Sequence, residues 1–310
     1  MKVFVAGASG AIGQPLLRRL LAAGHEVTGM TRRSDRAEEI RAMGAAAVTC
    51  DVYDAAELDA AVAAARPEAV VHLLTALPER LDPRGRALAA TNRVRREGTR
   101  NLIAAAAAAG AKRIVAESVA FVYVPQGGWV KGEDEPFAAG GSGAFGEASL
   151  AVADLERQVA EAPGIEGVVL RYGFLYGPGT YYARGGSQAE DVRRRRFPIV
   201  GGGTGTFSFI HVEDAAAATV AAIERGNPGA YNVVDDAPAP LHEWLPVYAE
   251  ALGAKSPRSV PAWLARLVAG SAAAAMATQL RGAANAKAKR ELGWEPALPS
   301  WRDGFRRELA

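Results

Sequence analysis

The stretch Lys2–Gly13, which reads K-V-F-V-A-G-A-S-G-A-I-G, decides the fold of this 310-residue chain. A short apolar run, Val3 to Ala6, opens directly onto three glycines at three-residue spacing, and an amphipathic segment, Gln14 to Ala23, follows at once. This order predicts a strand, a tight turn and a helix at the start of an α/β domain.

Each of the three glycines has a separate physical role in such a turn. Gly7 can adopt the positive φ that the turn needs, and Gly10, without a Cβ, lets a ligand approach the backbone. Gly13 lets the helix pack close to the strand. The free N–H groups of the first helical turn then favour an anionic ligand, most simply a pyrophosphate.

The chain continues as short apolar, β-branched runs that alternate with helical stretches. The predicted strands are Val27 to Met30, Ala46 to Cys50, Ala69 to Leu74, Arg113 to Ala116, Gly167 to Leu170 and Tyr231 to Val234. The predicted helices are Arg36 to Met43, Ala55 to Ala65, Gly85 to Ala109, Ala151 to Ala160 and Glu213 to Arg225. The alternation predicts a Rossmann-like, doubly wound parallel sheet, with a ligand bound at the carboxyl ends of its strands.

The residues after the second predicted strand indicate which dinucleotide binds. NAD-binding domains carry an acidic residue there for the ribose 2′-hydroxyl, whereas this chain has Arg32 and Arg33. Guanidinium groups suit a 2′-phosphate, so we expect NADP(H) to be preferred over NAD(H). A solvated loop is the alternative interpretation of these arginines. Asp51 is a candidate partner for the adenine amino group, with a turn-forming role as the alternative.

The character of the sequence changes after Leu170, which indicates a second, smaller unit. Residues 177–205 are rich in glycine and include the basic run Arg193 to Arg196, and the chain beyond Asp236 is helical. We predict that residues 1–174 with 206–236 form the NADP-binding domain. Residues 175–205 with 237–310 would form a mostly helical substrate lobe.

Composition limits the classes of partner and compartment. The net charge is +2 and 23% of the residues are charged, which predicts neither a nucleic-acid nor a membrane partner. The single cysteine, Cys50, excludes a disulfide framework and fits a cytoplasmic setting. His72 and His211 are interpreted as structural, and no second His or Cys stands at the spacing of a metal site.

Several further motifs, in order along the chain, resemble the extended short-chain dehydrogenase/reductases of the NAD(P)-dependent epimerase/dehydratase family. They are the G-x-x-G-x-x-G turn, Asp51-Val52, Val71-His72-Leu73, Glu97-Gly98-Thr99-Arg100-Asn101-Leu102, Leu170 to Gly179, His211 to Ala216, Tyr231-Asn232-Val233 and Leu292 to Pro296. The resemblance implies that the cofactor site also includes Ala8, Ser9, Ala11, Ile12, Val52, Leu73, Leu74, Thr75, Tyr172 and Gly173.

The family's catalytic residues are missing from this chain. The resemblance implies a Tyr and a Lys four residues apart on a helix, with a Ser or Thr at the end of the fifth strand. The corresponding positions here are Gly146 and Leu150, and Val119 stands at the Ser/Thr position unless a shift of one residue brings in Ser118. The Tyr/Lys mechanism is therefore not transferred to this chain.

Other polar groups near the predicted site could take over the proton transfer. Tyr123 and Tyr182 are the first candidates for proton donor, together with Ser118, and Tyr176, Tyr181 and Tyr182 are candidates for contact with the substrate. Alternatively, an acidic hydroxyl of the substrate or an ordered water supplies the proton while the protein provides positioning and hydride.

The leading functional prediction is a cytoplasmic, NADP(H)-dependent oxidoreductase acting on a small carbonyl or alcohol. Loss of the Tyr and Lys also allows a non-catalytic NADP(H)-binding redox sensor. A sugar-nucleotide epimerase or dehydratase ranks last, because it depends most on the missing residues. Homodimerisation through the alanine-rich helices Gly85 to Ala109 and Ser149 to Ala160 is left open against a monomer.

Overall fold

A seven-stranded parallel sheet forms the centre of the computed structural model, which describes residues 1–80, 86–138, 140 and 143–309. In chain order the strands are β1 Lys2–Ala6, β2 Glu26–Thr31, β3 Ala46–Thr49, β4 Ala69–His72, β5 Arg113–Val119, β6 Val130–Lys131, β7 Glu166–Tyr172, β8 Phe174–Tyr176, β9 Ile199–Val200, β10 Thr206–Phe207, β11 Phe209–His211, β12 Gly229–Val233, β13 Ala239–Pro240, β14 Ser259–Val260 and β15 Gly282–Ala283.

Helices connect these strands and also form most of the C-terminal part. They are α1 Gly13–Ala22, α2 Ser34–Ala42, α3 Ala55–Ala65, α4 Ala89–Arg93, α5 Thr99–Ala108, α6 Gly143–Ala160, α7 Ser187–Arg193, α8 Val212–Arg225, α9 Leu241–Ala251, α10 Ala262–Ala269, α11 Ser271–Gln279, α12 Ala286–Leu292 and α13 Trp301–Leu309. A 3-10 turn, Arg86–Leu88, precedes α4, and a π-helix, Val94–Gly98, separates α4 from α5.

The sheet order is β12-β7-β5-β4-β1-β2-β3, and every neighbouring pair is parallel. The chain runs from β1 outward to β3 and then returns to β4 on the other side of β1. This reversal places a crevice at the carboxyl ends of β1 and β4, where ligands bind in doubly wound folds. The predicted fold class is confirmed.

Two hydrophobic clusters cover the two faces of the sheet. One packs α1 and α8 against the sheet through residues such as Leu16 and Ala215. The other packs α3, α5 and α6 against the opposite face through residues such as Val62, Leu102 and Leu155. Covering both faces explains why the strands are apolar throughout instead of alternating apolar with polar residues.

The C-terminal part has an aromatic core of its own. Trp244, Tyr248, Trp301 and Phe305 are fully buried in it, and they surround Phe209 with ring centroids about 5 to 6 Å apart. Phe209 belongs to the stretch that was assigned to the first domain, so this core draws on both predicted units. The division into two domains stays a prediction.

Two other sequence-based expectations concern buried polar groups. Cys50 closes an apolar run of the sequence, which predicts a buried side chain, and the structure confirms this; burial raises the pKa of its thiol to about 12. The adjacent acids Asp235 and Asp236 predict an exposed turn, and for Asp235 that prediction is wrong. Its carboxylate is buried and accepts hydrogen bonds from the backbone N–H groups of Ala237 and Trp301, which fixes the start of α13. None of the helices in the described ranges is both long and apolar enough to cross a membrane.

Candidate functional site

The glycine turn lies at the centre of the crevice. Gly7 has φ +93°, and the N–H groups of Gly7 and Ala8 both donate to the carbonyl oxygen of Met30 at 3.3 Å. A Cβ on Gly7 would lie 2.6 Å from the carbonyl oxygen of Leu73, so the turn is in direct contact with the loop after β4. A side chain at this position would therefore separate β1 from that loop.

The start of α1 provides an anion site in front of the turn. A Cβ on Gly13 would lie 2.4 Å from the carbonyl oxygen of Gly7, which explains why the helix begins with glycine. The backbone N–H groups of Ala11 and Ile12 have no acceptor within the described ranges. Gly10 is exposed. Unpaired donors at a helix N-terminus fit a pyrophosphate, so the residues present suit a dinucleotide cofactor.

A cavity of about 430 Å³ opens beside this helix terminus. It is lined by Ser9, Gly10, Ala11, Gln14, Pro15, Arg18, Arg36, Pro178, Gly179, Val212 and Glu213. The lining combines the glycine turn with the loop after β8, and a Cβ on Gly179 would lie 3.5 Å from the Ala11 Cβ. The cavity is therefore shared between the sheet and the segment that leads into the C-terminal part.

The two arginines after β2 are in different environments. Arg33 donates to both carboxylate oxygens of Asp35, and this pair is exposed. Arg32 is exposed, and its guanidinium has no hydrogen-bond partner among the residues that the structure describes. Ser9 and Thr31, between the turn and these arginines, share a hydrogen bond of 3.2 Å. The polar groups of β2 and the glycine turn thus lie together.

Asp51 and Val52 follow β3 at the same edge of the sheet. The Asp51 carboxylate accepts a hydrogen bond from the Tyr53 N–H at 3.0 Å, which is a turn-forming contact. The Val52 carbonyl accepts from the Asn101 side-chain amide at 3.0 Å. Asp51 is half-buried and keeps a second carboxylate oxygen, so both interpretations given for it from the sequence remain open.

A buried histidine fixes the loop Leu73, Leu74 and Thr75 after β4. The His72 ring is hydrogen-bonded to Thr99 at 2.9 Å, and its Nδ1 accepts from the Leu74 N–H at 3.2 Å. Burial, together with the nearby Arg95 guanidinium, lowers the His72 pKa to about 4, so the ring is neutral. His72 is a structural residue that shapes the loop.

Tyr172 and Gly173 end β7 beside this loop, but the tyrosine side chain is turned away from it. The Tyr172 hydroxyl shares a hydrogen bond of 2.7 Å with Thr219 of α8, in the core. A Cβ on Gly173 would lie 2.5 Å from the Ser208 carbonyl oxygen. Any contact between Tyr172 and a cofactor is therefore limited to its backbone.

Ser118 and Tyr123, two of the predicted proton donors, belong to one buried hydrogen-bond network. The Ser118 hydroxyl donates to the Glu156 carboxylate at 2.5 Å. The Tyr123 hydroxyl donates to the Asn232 side chain at 2.6 Å and accepts from Arg171 at 3.1 Å. Both hydroxyls are thus already engaged with partners inside the protein, behind the end of β5.

The three tyrosines predicted to contact substrate are in three different environments. Tyr176 is fully buried in the aromatic core, and its hydroxyl has no partner in the described part of the chain. Tyr181 donates to the Pro78 carbonyl, so it links the glycine-rich segment to the loop after β4. Tyr182 is largely buried, burial raises its pKa, and its hydroxyl makes no hydrogen bond to the residues described. Of these tyrosines and the two network hydroxyls, Tyr182 remains the candidate proton donor.

Helix α6 carries Gly146 and Leu150 at the positions of the missing Tyr and Lys. Gly146 is buried, whereas Leu150 is 37% exposed, and the helix packs against β5 and β7. Neither residue can donate a proton or hold a positive charge. No group of three or more His, Cys, Asp or Glu side chains in the described part of the chain could bind a metal ion.

Sequence analysis missed a pair of stacked aromatic rings at the strand ends. Phe121 follows β5 and Phe174 begins β8, and their rings are 4.4 Å apart and nearly parallel. Both residues are half-buried, and Phe174 also contacts Tyr182 edge-on at 6.4 Å. Phe121 and Phe174 lie five and four residues beyond the predicted strand ends at Ala116 and Leu170, and the sequence carries no signal for the contact between the two rings.

Comparisons with known proteins agree with this arrangement. Residues 3–234 match the model of the NAD dependent epimerase/dehydratase family. A 3-diazoavenalumate denitrifying reductase from a Streptomyces species is 48% identical over 99% of this chain and 100% of its own length. A 2-alkyl-3-oxoalkanoate reductase from Stenotrophomonas maltophilia is 27% identical, over 82% of this chain and 76% of its own.

Solved structures show the same fold at lower identity. A UDP-glucose 4-epimerase from Thermotoga maritima superposes with a TM-score of 0.77 at 22% identity, covering 100% of this chain and 97% of its own. A dTDP-glucose 4,6-dehydratase from Streptomyces venezuelae has a TM-score of 0.79 at 20% identity, covering 100% and 96%. At these identities the likeness concerns the fold alone.

Proposed function

This chain belongs to the NAD dependent epimerase/dehydratase family, and we propose that it is an NADP(H)-dependent reductase that transfers hydride to a planar, conjugated substrate. The observation that carries the proposal is an intact nucleotide-binding turn beside a helix face that holds Gly146 and Leu150. Such a site has the backbone groups that bind the cofactor, but it lacks the tyrosine that acts as the proton donor in the family. Relatives named as reductases favour an enzyme over the alternative of a non-catalytic sensor.

The residues of the crevice have distinct roles toward the cofactor in this proposal. Ala11 and Ile12 would bind the pyrophosphate through their backbone N–H groups, and Arg32 and Arg33 would bind the 2′-phosphate. The loop Leu73 to Thr75 would form the wall beside the nicotinamide. When bound, NADPH would supply the hydride.

The similarity to the denitrifying reductase suggests the substrate class. We infer that the reacting carbon carries a diazo group: a carbon–hydrogen bond forms to the incoming hydride, the carbon–nitrogen bond breaks, and N2 leaves. One proton is consumed as well, and it ends on an oxygen conjugated with that carbon. The stacked faces of Phe121 and Phe174 would accommodate a planar ring system better than a sugar.

Reduction of a ketone is the second candidate, favoured by the names of more distant relatives. Besides the oxoalkanoate reductase, a quinoline-oxide ketoreductase from Stigmatella aurantiaca is 28% identical over 83% of this chain. Ketone reduction leaves an alkoxide that must be protonated by a side chain such as Tyr182 or by water. The sugar-nucleotide alternative remains last, because its chemistry requires the missing tyrosine and lysine.

The proposal is tested with NADPH deuterated at C4. We expect the purified protein to convert 3-diazoavenalumate with release of N2, and to place the deuterium on the carbon that carried the diazo group, as mass spectrometry of the product would show. Reactions without protein and reactions with an aromatic ketone serve as comparisons. Turnover of the ketone alone would select the second candidate, and consumption of neither would contradict the proposed reductase.

The cofactor preference is tested at the two arginines after β2. We expect the double variant Arg32→Ala/Arg33→Ala to bind NADPH about 10- to 100-fold more weakly, because charge-assisted hydrogen bonds to phosphate are lost, a total of about 1.4 to 2.8 kcal/mol of binding free energy. NADH binding should change by less than about twofold. Arg290→Ala, an exposed residue of α12, is the control. An unchanged ratio of NADPH to NADH affinity in fluorescence titrations would contradict the assignment.

A further inference from the structure

Glu117 is an acidic residue near the carboxyl end of the central strand β5, which reads R-I-V-A-E-S-V. His72 on β4 pairs with Ala6 on β1 and with Ala116 on β5, so Glu117 lies one residue beyond that row, level with Gly7. Two strand spacings separate it from the glycine turn, a distance of about 10 Å. With Arg32 and Arg33 on the 2′-phosphate, as proposed above, the adenosine half of the dinucleotide would lie over β2 and β3 and the nicotinamide half over β4 and β5. Glu117 would then lie beneath the position of hydride transfer.

Arg95 lies on the π-helix that faces this strand end. The π-helix replaces the single long helix that the sequence predicted, and such insertions in helices occur frequently at functional sites. The Arg95 guanidinium is the charge that acts on the Glu117 carboxylate, and it also acts on His72. No ion pair within 4.0 Å joins Arg95 to Glu117 in the described structure, so their charged atoms are more than 4.0 Å apart.

Both side chains keep part of their surface accessible. Each residue is half-buried, and neither charged group makes a hydrogen bond to a described residue. Burial nevertheless raises the pKa of the Glu117 carboxyl to about 7, against the opposing effect of Arg95, and lowers the pKa of the Arg95 guanidinium. Charged groups that are partly accessible and have no partner in the described part of the protein can contact a ligand.

We propose that Glu117 is the proton donor of the reduction and that Arg95 stabilises the negative charge that develops on the substrate oxygen. The inference rests on the proposed reductase function. Glu117 would take the role of the family's tyrosine, and Arg95 would supply the positive charge of the absent lysine. A carboxylic acid that keeps its proton near neutral pH suits this task.

The proton balance is the same for both candidate substrates. As hydride reaches the reacting carbon, the conjugated or carbonyl oxygen gains negative charge and takes the proton of Glu117. The O–H bond of the carboxylic acid breaks, the O–H bond of the product forms, and Glu117 becomes a carboxylate beside Arg95. Water then returns a proton to Glu117 before the next turnover.

Other charged and titratable groups near Glu117 do not take over this role. His72 on β4 stays neutral, and Tyr172 on β7 is hydrogen-bonded to Thr219 with its pKa raised by burial. On α6, Glu156 binds Arg171 and Ser118. Arg95 is therefore the cation that sets the protonation of Glu117.

The test is the pH profile of kcat/KM for the substrate that the wild-type protein reduces. The acid must be protonated, so we expect the wild-type rate to be constant at low pH and to fall as pH rises through about 7. Glu117→Gln should be about 10²- to 10⁴-fold slower and should lose this decline, with NADPH affinity within about twofold of the wild type. Arg95→Met should move the decline to higher pH, because the charge that lowers the Glu117 pKa is gone.

Infrared difference spectra of the protein without cofactor give a readout that does not depend on turnover. Two buried carboxyls, Glu117 and Asp235, should contribute a protonated carbonyl stretch that disappears as pH rises through about 7, because burial raises the pKa of both to about that value. The band should lose the Glu117 component in Glu117→Gln and stay undiminished in the control Glu161→Gln. An undiminished band or a persisting rate decline in Glu117→Gln would overturn the assignment, and so would loss of NADPH binding. A wild type that reduces neither substrate would contradict the proposed function instead, while the spectra would still report on Glu117.

Discussion

Gly7→Ala is expected to weaken NADPH binding by about 100-fold, equivalent to about 3 kcal/mol of binding free energy. Gly7 has φ +93°, which costs any residue with a Cβ about 1 to 2 kcal/mol. The new Cβ would also lie 2.6 Å from the Leu73 carbonyl oxygen, so the loop after β4 must move away from the turn. That displacement disturbs the anion site and the nicotinamide wall together. Fluorescence titration with NADPH measures the affinity, and thermal unfolding measures stability.

Gly24→Ala is the matched control for this prediction. Gly24 has φ +80°, and a Cβ there would meet no atom within 4 Å. Gly24→Ala therefore has the conformational cost of a positive φ but no steric clash. We expect it to lose about as much stability as Gly7→Ala and to bind NADPH with wild-type affinity. Equal affinities in the two variants would contradict the role of Gly7 in holding the loop beside the turn.

The central domain was predictable because each element carries a local pattern that agrees with the fold. The strands are short and mostly apolar because both faces of the sheet are covered. The glycines of the turn are required for steric reasons, and their spacing makes the turn recognisable in the sequence. The helix predicted at Ala55 to Ala65 has the same bounds in the structure. Local propensity and tertiary packing favour the same secondary structure in this region.

The chemistry of the site was less accessible, because it depends on which way side chains point. The apolar run predicted as a strand, Arg113 to Ala116, stops short of Glu117 and Ser118. In the structure β5 continues to Val119, because its pairing with β7 extends through Glu117, Ser118 and Val119, although its pairing with β4 ends at Ala116. Ser118 turns toward α6, where its hydroxyl donates to Glu156. Glu117 lies within the observed strand and not beyond its end.

The helix predicted over Gly85 to Ala109 shows a second reason why parts of the structure could not be predicted from the sequence. Its alanine-rich sequence predicts one continuous helix, and α5 confirms the C-terminal part, but Val94–Gly98 forms a π-helix. Gly98 packs against Val52, where a Cβ would lie 3.2 Å from a Val52 methyl group. Tertiary contacts of this kind override helix propensity, and no local pattern encodes them. Gly85 itself is outside the described residues.

Glu156→Leu is expected to lower the free energy of unfolding by about 3 to 5 kcal/mol. Glu156 and Arg171 form an ion pair of 2.7 Å with side chains only 13% and 10% exposed. Removing the carboxylate leaves the Arg171 charge uncompensated in a buried site and takes the acceptor from the Ser118 hydroxyl. Chemical denaturation followed by circular dichroism measures the loss.

Two further variants separate the cost of an unpaired charge from the value of the pair. Glu156→Leu/Arg171→Met removes both charges and should recover part of the stability, although Tyr123 then loses a donor. Asp154 lies on the same helix as Glu156, and it forms an exposed ion pair with Arg96 of the π-helix. Asp154→Asn breaks this pair and should lower the free energy of unfolding by less than about 1 kcal/mol. If Glu156→Leu costs no more than Asp154→Asn, the network does not hold the end of β5 in place. Ser118 and Tyr123 would then again be free to act on a substrate.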